Sequence, residues 1–102
     1  MIAEFSIFPI GKDVHLSKHV AKVIKVIAES GLPYKVTAMG TIVEGGTDEV
    51  FALLKACHEK IAASCKRVAT HVKIDDFAGR KGRIEGKVKS VEKRLGKRLK
   101  KA

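Results

Sequence analysis

The sequence predicts a single small α/β (α+β) domain: a four-stranded antiparallel sheet, two helices on one of its faces, and an extra C-terminal helix. Three observations lead there. Short runs with a period of two alternate with longer runs of helical period. Turn residues fall between the runs, and the runs come in the order β-α-β-β-α-β-α. The 102 residues are 45% apolar, enough for one domain with a core of its own.

Residues 2–10 read as the first strand, because Ala3, Phe5, Ile7 and Pro9 alternate with Glu4, Ser6, Phe8 and Ile10. Pro9 marks its end, and Gly11, Lys12 and Asp13 form the turn. Residues 16–30 form a helix, with Leu16, Val20, Val23, Ile24 and Ile27 on one face and Ser17 as its N-cap. Gly31 and Pro33 stop it. Residues 34–39 and 41–44 are the next two strands, joined at Gly40 as a hairpin.

Gly45 and Gly46 break the chain before a second helix, capped by Thr47 and running to about residue 64. Asp48 and Glu49 sit in its first turn, where the helix dipole favours acids. Its apolar stripe is Val50, Leu53, Leu54, Cys57 and Ile61. Residues 67–75 give the fourth strand, with Val68, Val72 and Ile74 facing one way and Ala69, His71, Lys73 and Asp75 the other. A linker at 77–83 leads to a third helix over 84–100, where Ile84, Val88, Val91, Leu95 and Leu99 form a narrow seam. Right-handed crossovers then give the ferredoxin-like βαββαβ arrangement over residues 1–76, with strand order 4-1-3-2. The third helix must lie on an edge, on the open sheet face or on a neighbouring subunit.

The net charge of +10 is unevenly spread. Residues 80–102 hold eleven Lys or Arg against Glu85 and Glu92, while residues 1–79 are nearly neutral. The body and the basic end are thus two electrostatic objects. Cys57 and Cys65 fall in one predicted helix, ~12 Å apart along its axis. A disulfide needs Cα atoms within ~7 Å, so they read as free thiols of a reducing compartment. No run approaches the ~20 apolar residues that span a bilayer. The start of the chain reads as a strand rather than a signal peptide, and a cytoplasmic protein is expected.

Two helices cover one face of four strands and leave the other open. That face should carry Ser6 and Phe8 from the first strand, Lys35, Thr37 and Met39 from the second, and His71 and Lys73 from the fourth. Thr41 or Ile42 completes it, depending on the register after Gly40. A surface of hydroxyls, one ring and a thioether suits a subunit contact or a flat ligand.

The segments EFSIFPIGK, LSKHVAKVIKVIAESGLPYKVTAMGTIVEG and RVATHVKIDD resemble the thiamine-binding protein family, small ferredoxin-like proteins long grouped as an uncharacterised family. The resemblance covers residues 2–76 and the start of the third helix. It implies a subunit that forms a dimer of dimers, and binding of thiamine or its hydroxymethylpyrimidine part by at least some members. Carried over by position, Ser6, Phe8, Thr37, Met39 and Thr41 are the ligand candidates, and His71 joins them from the sheet. No cofactor beyond that ligand is expected. The family often has Arg after IDD, where this chain has Phe77, and the Lys-rich end is longer here. Phe8 or Met39 would offer a plane to the pyrimidine, and Ser6, Thr37 and Thr41 would meet its edge. Glu4, Glu44 and Asp75 are candidates to face the thiazolium cation, which Lys35 and Lys73 would oppose.

Other features point less far. His15 and His19 have helical spacing for two metal ligands but no third, so no metal site is expected. Gly45-Gly46-Thr47 lacks the lysine of a phosphate loop, and Gly11-Lys12 is a weak anion site. No nucleophile, base and orienting group are brought together, so binding rather than catalysis is expected. The basic end admits nucleic-acid binding as a rival function, with a solvated helix face as the simpler reading.

Overall fold

The structure is a computed structural model that describes residues 1–11 and 16–100. Its elements are β1 (Ile2–Pro9), α1 (Leu16–Glu29), β2 (Tyr34–Val36), β3 (Thr41–Glu44), α2 (Thr47–Ala62), β4 (Val68–Asp75) and α3 (Arg83–Leu95). The sheet order is β2-β3-β1-β4, as the two crossovers require.

Alternation along β1 decides the layers. Ala3, Phe5, Ile7 and Pro9 are buried beneath α1 and α2. Val43 joins them from β3, Val23 and Ile27 from α1, and Val50, Leu53, Leu54, Cys57 and Ile61 from α2. Ile27 and Ile61 are fully enclosed, and truncation of either to Ala would cost about 2–5 kcal/mol.

Register fixes which side chains share a face. Phe5 pairs with Thr41 and Glu4 with Ile42, while Ser6 pairs with His71 and Glu4 with Lys73. Ile42, not Thr41, therefore lies on the face away from α1 and α2. Thr41 is 6% exposed on the covered side with Phe5.

Several predicted boundaries move for local reasons. β2 ends at Val36 rather than residue 39, because Thr37 closes the turn on itself. Its Oγ1 donates to the Gly40 carbonyl at 3.0 Å and accepts from the N–H groups of Met39 and Gly40, both at 3.2 Å. A Cβ on Gly40 would lie 2.8 Å from the Phe5 carbonyl oxygen, so only glycine lets the hairpin approach β1 this closely.

Ser17 lies inside α1, and the positions before that helix are outside the described residues. Gly46, not Thr47, caps α2, and the Glu49 side chain accepts from its N–H at 3.1 Å. Cys65 falls beyond the end of α2, and both cysteines are free. α3 begins at Arg83 and stops at Leu95 rather than residue 100. Gly96 takes a left-handed φ of 73° and donates its N–H to the Glu92 carbonyl, a glycine stop that seam spacing does not reveal.

α3 settles on the open face. Ile84 and Val88 border a depression with Ile2 and Ile42, at the end of the sheet where β1 begins. The molecule measures 47 × 28 × 20 Å, with a radius of gyration of 15.0 Å. A compact chain of this length has about 13 Å, so the shape is elongated.

Candidate functional site

β1 is eight residues long, but β3 pairs only with its first half, Ile2 to Phe5. From Ser6 to Pro9 the strand is paired on the β4 side and has no partner from β3. The hairpin turns away at Val36, and α1 passes over the gap. The result is a cleft of about 400 Å³ beside the free edge of β1.

Five of the sequence-predicted site residues line that cleft: Ser6, Phe8, Thr37, Met39 and Thr41. They arrive from three places, the free part of β1, the 37–40 turn and the first residue of β3. Its remaining wall is apolar and includes Leu16, Val20 and Ile24 of α1. Leu16 and Val20 look like ordinary core positions in the sequence, yet they are 53% and 45% exposed because they overhang the opening. Met39 is 88% exposed at the turn tip, an unbranched thioether at the mouth.

The open face supplies a second, shallower depression of about 360 Å³, lined by Glu4, Ser6, Met39, His71 and Lys73 among others. His71 falls here, with its ring stacked on Phe8 at 5.7 Å between centroids and 10° between planes. The two depressions share Phe5, Ser6 and Met39 and lie on either side of the β1 edge. The expected single open-face site is thus divided. Thr41 belongs to the helix side, and the Thr37 hydroxyl is engaged in its turn.

Two of the three carboxylates considered for a cationic ligand have structural partners. Glu44 accepts from the N–H groups of Arg83 and Ile84, and Asp75 is bonded to Lys87. That bond and the lysine's charge hold the Asp75 carboxyl below its usual range. Glu4 is exposed and lines the open-face depression, with Lys73 opposite it in register. A larger hollow of about 760 Å³ borders the start of α3. Several of its charged groups serve the fold: Lys35 pairs with Glu85 at 3.0 Å, and the Met1 amino group donates to the Gly45 carbonyl.

Of the two histidines weighed as metal ligands, His15 lies outside the described residues and His19 is half-buried on α1. Among the described residues, no group of three or more His, Cys, Asp or Glu is placed to hold a metal ion. Phe77 is overlaid by two guanidiniums, Arg80 at 4.9 Å and Arg83 at 5.6 Å from its ring centroid. Sequence reasoning missed the α1 wall and the Glu44 contact, since both depend on which residues meet across the fold.

The profile of the family described as thiamine-binding protein matches residues 3–92. An uncharacterised-family (UPF0045) protein of Methanocaldococcus jannaschii is 36% identical over 91 residues, covering 89% of this chain and 91% of its own. YqgV of Bacillus subtilis, of the same family, is 38% identical over 100 residues, covering 92% and 96%. The crystal structure of the M. jannaschii protein superposes with a TM-score of 0.80, at 37% identity over 88% of this chain and 93% of that one. A Thermotoga maritima protein provisionally assigned to thiamine biosynthesis or salvage superposes with a TM-score of 0.77 at 27% identity, covering 88% and 96%. The sheet order, the two crossover helices and the matched span agree: this chain belongs to the thiamine-binding protein family.

Proposed function

We propose that the chain binds thiamine or its hydroxymethylpyrimidine part in the cleft beside the free edge of β1, as a non-enzymatic binder in the cytoplasm. The observation that carries this reading is the meeting of Ser6, Phe8, Thr37, Met39 and Thr41 around one cleft of about 400 Å³. That volume lies within the range of small-molecule sites, and its mainly apolar wall with a few hydroxyls suits a flat heteroaromatic ring. The Ile7 N–H and C=O, on the side of β1 away from β4, can meet the ring's edge as a neighbouring strand would. The exposed Glu4 lines the neighbouring open-face depression, not the cleft, and would face a thiazolium that reaches past Ser6.

Self-association belongs to the same reading. Val72 and Ile74 of β4 are 41% and 39% exposed on the helix side of a sheet edge, an uncovered apolar strip that a second subunit would bury. The free Cys65 thiol fits a reducing compartment.

Calorimetry with thiamine and with hydroxymethylpyrimidine tests the ligand, and light scattering tests the assembly. Heat and a raised melting temperature are expected with at least one of the two. An oligomer that ignores both at millimolar concentration would replace this reading with that of a structural or regulatory assembly.

A further inference from the structure

The basic end of the chain is more ordered in its charge than composition indicates. At 3.6 residues per turn, Ile84, Val88, Val91 and Leu95 fall within a sector of about 60° on α3. Lys89 and Lys93 fall on the far side of the helix, and Lys87 and Arg94 on one flank. Both acids, Glu85 and Glu92, lie on the other flank. The acids are also engaged: Glu85 pairs with Lys35 at 3.0 Å, and Glu92 accepts from the Leu99 N–H at 2.6 Å. Lys89, Ser90, Lys93 and Arg94 are all exposed, and Lys97, Arg98 and Lys100 extend the exposed charge past the Gly96 stop.

We propose that this outward face of α3, with the Lys97–Lys100 segment after it, binds the phosphate backbone of nucleic acid without reading its sequence. A polyanion is indicated because the face presents cations with no acid among them, on a body that is itself nearly neutral. A phosphate backbone fits better than a bilayer. An interfacial helix must bury its apolar face in lipid, and here Ile84 and Val88 of that face are already packed over the sheet beside Ile2 and Ile42. No aromatic residue occurs from Ala78 onward, so bases have nothing to stack on and contact is confined to phosphates. The inference is independent of the cleft beside β1.

Fluorescence anisotropy of a labelled duplex of arbitrary sequence, titrated with the full chain at several salt concentrations, tests it. If about four cations engage phosphates, log K should fall against log salt with a slope of about −3.6. A double variant, Lys93→Gln with Arg94→Gln, should make that slope shallower by about two. Both side chains are exposed, so the fold is expected to survive the change. No binding at low salt would overturn the proposal, and so would a slope that the double variant leaves unchanged. Sedimentation with phosphatidylglycerol vesicles that exceeds duplex binding and disappears in Val91→Ser with Leu95→Ser would overturn it in favour of a membrane surface.

Discussion

The carboxylate of Glu44, at the end of β3, accepts hydrogen bonds from the backbone N–H groups of Arg83 at 3.0 Å and Ile84 at 3.2 Å. A side chain 39 residues away thus caps α3, whose preceding residue, Gly82, has no side chain to do so. Glu44→Ala should remove that cap and leave two N–H groups without their acceptor. The expected cost is about 0.5–2 kcal/mol. It should be read as faster hydrogen exchange in α3, with the amides of β1 and α2 little changed.

Gly40→Ala should be among the more damaging small substitutions. The new Cβ would meet the Phe5 carbonyl oxygen at 2.8 Å, and neither atom can rotate away without moving its backbone. Relief requires the hairpin to back away from β1, at a cost of about 1–3 kcal/mol. Urea unfolding should show the lower midpoint.

Asp75 and Lys87 tie α3 to β4. The Asp75 carboxyl is held below its usual range, chiefly by its hydrogen bond to Lys87 and then by that residue's charge. The folded state therefore binds this proton less readily than the unfolded state does. The contribution is fully present above the ordinary aspartate range, near pH 4, and is lost as pH falls through the depressed value. Lys87→Met should return the Asp75 titration towards its ordinary position, measured by NMR on the side-chain carboxyl.

The two thiols should react at very different rates. Cys57 is fully buried, and burial pushes its thiol up to about 11 from the usual 9.0. Cys65 is half-exposed. At pH 8 a thiol reagent should label Cys65 promptly and Cys57 only as the native protein unfolds. Because the folded-state pKa is raised, burial of the neutral Cys57 thiol favours folding in full below pH 9.0 and progressively less as pH rises towards 11.

Phe8→Ala tests the cleft without opening the main core, since Phe8 is only half-buried and packs against His71. Thiamine or hydroxymethylpyrimidine affinity should fall by roughly tenfold or more, the equivalent of about 1.4 kcal/mol for a lost ring contact. Calorimetry on this variant and on His71→Ala distinguishes the two depressions. The cleft reading predicts the larger loss for Phe8→Ala.

The fold was legible in the sequence wherever burial has a simple period. Ala3, Phe5 and Ile7 announce their face by alternation, and Val50, Leu54, Cys57 and Ile61 announce theirs by helical spacing. The face of Thr41 was not legible, because it hangs on a register set by how Thr37 folds the turn. Leu16 and Val20 mislead for a related reason. Their spacing belongs to the core stripe of α1, but β3 is too short to put sheet beneath them. The cap from Glu44 to α3 was out of reach, since nothing local links residue 44 to residue 83.

The length mismatch between β1 and β3 has a consequence for how this family can change. A pocket made only of side chains can be erased by a handful of substitutions. A pocket that exists because one strand outruns its neighbour is inherited with the topology. Its lining can drift from hydroxyl to thioether to ring while the slot and the main-chain edge at Ile7 persist. Homologues that share this offset would then keep the slot even where its lining has changed.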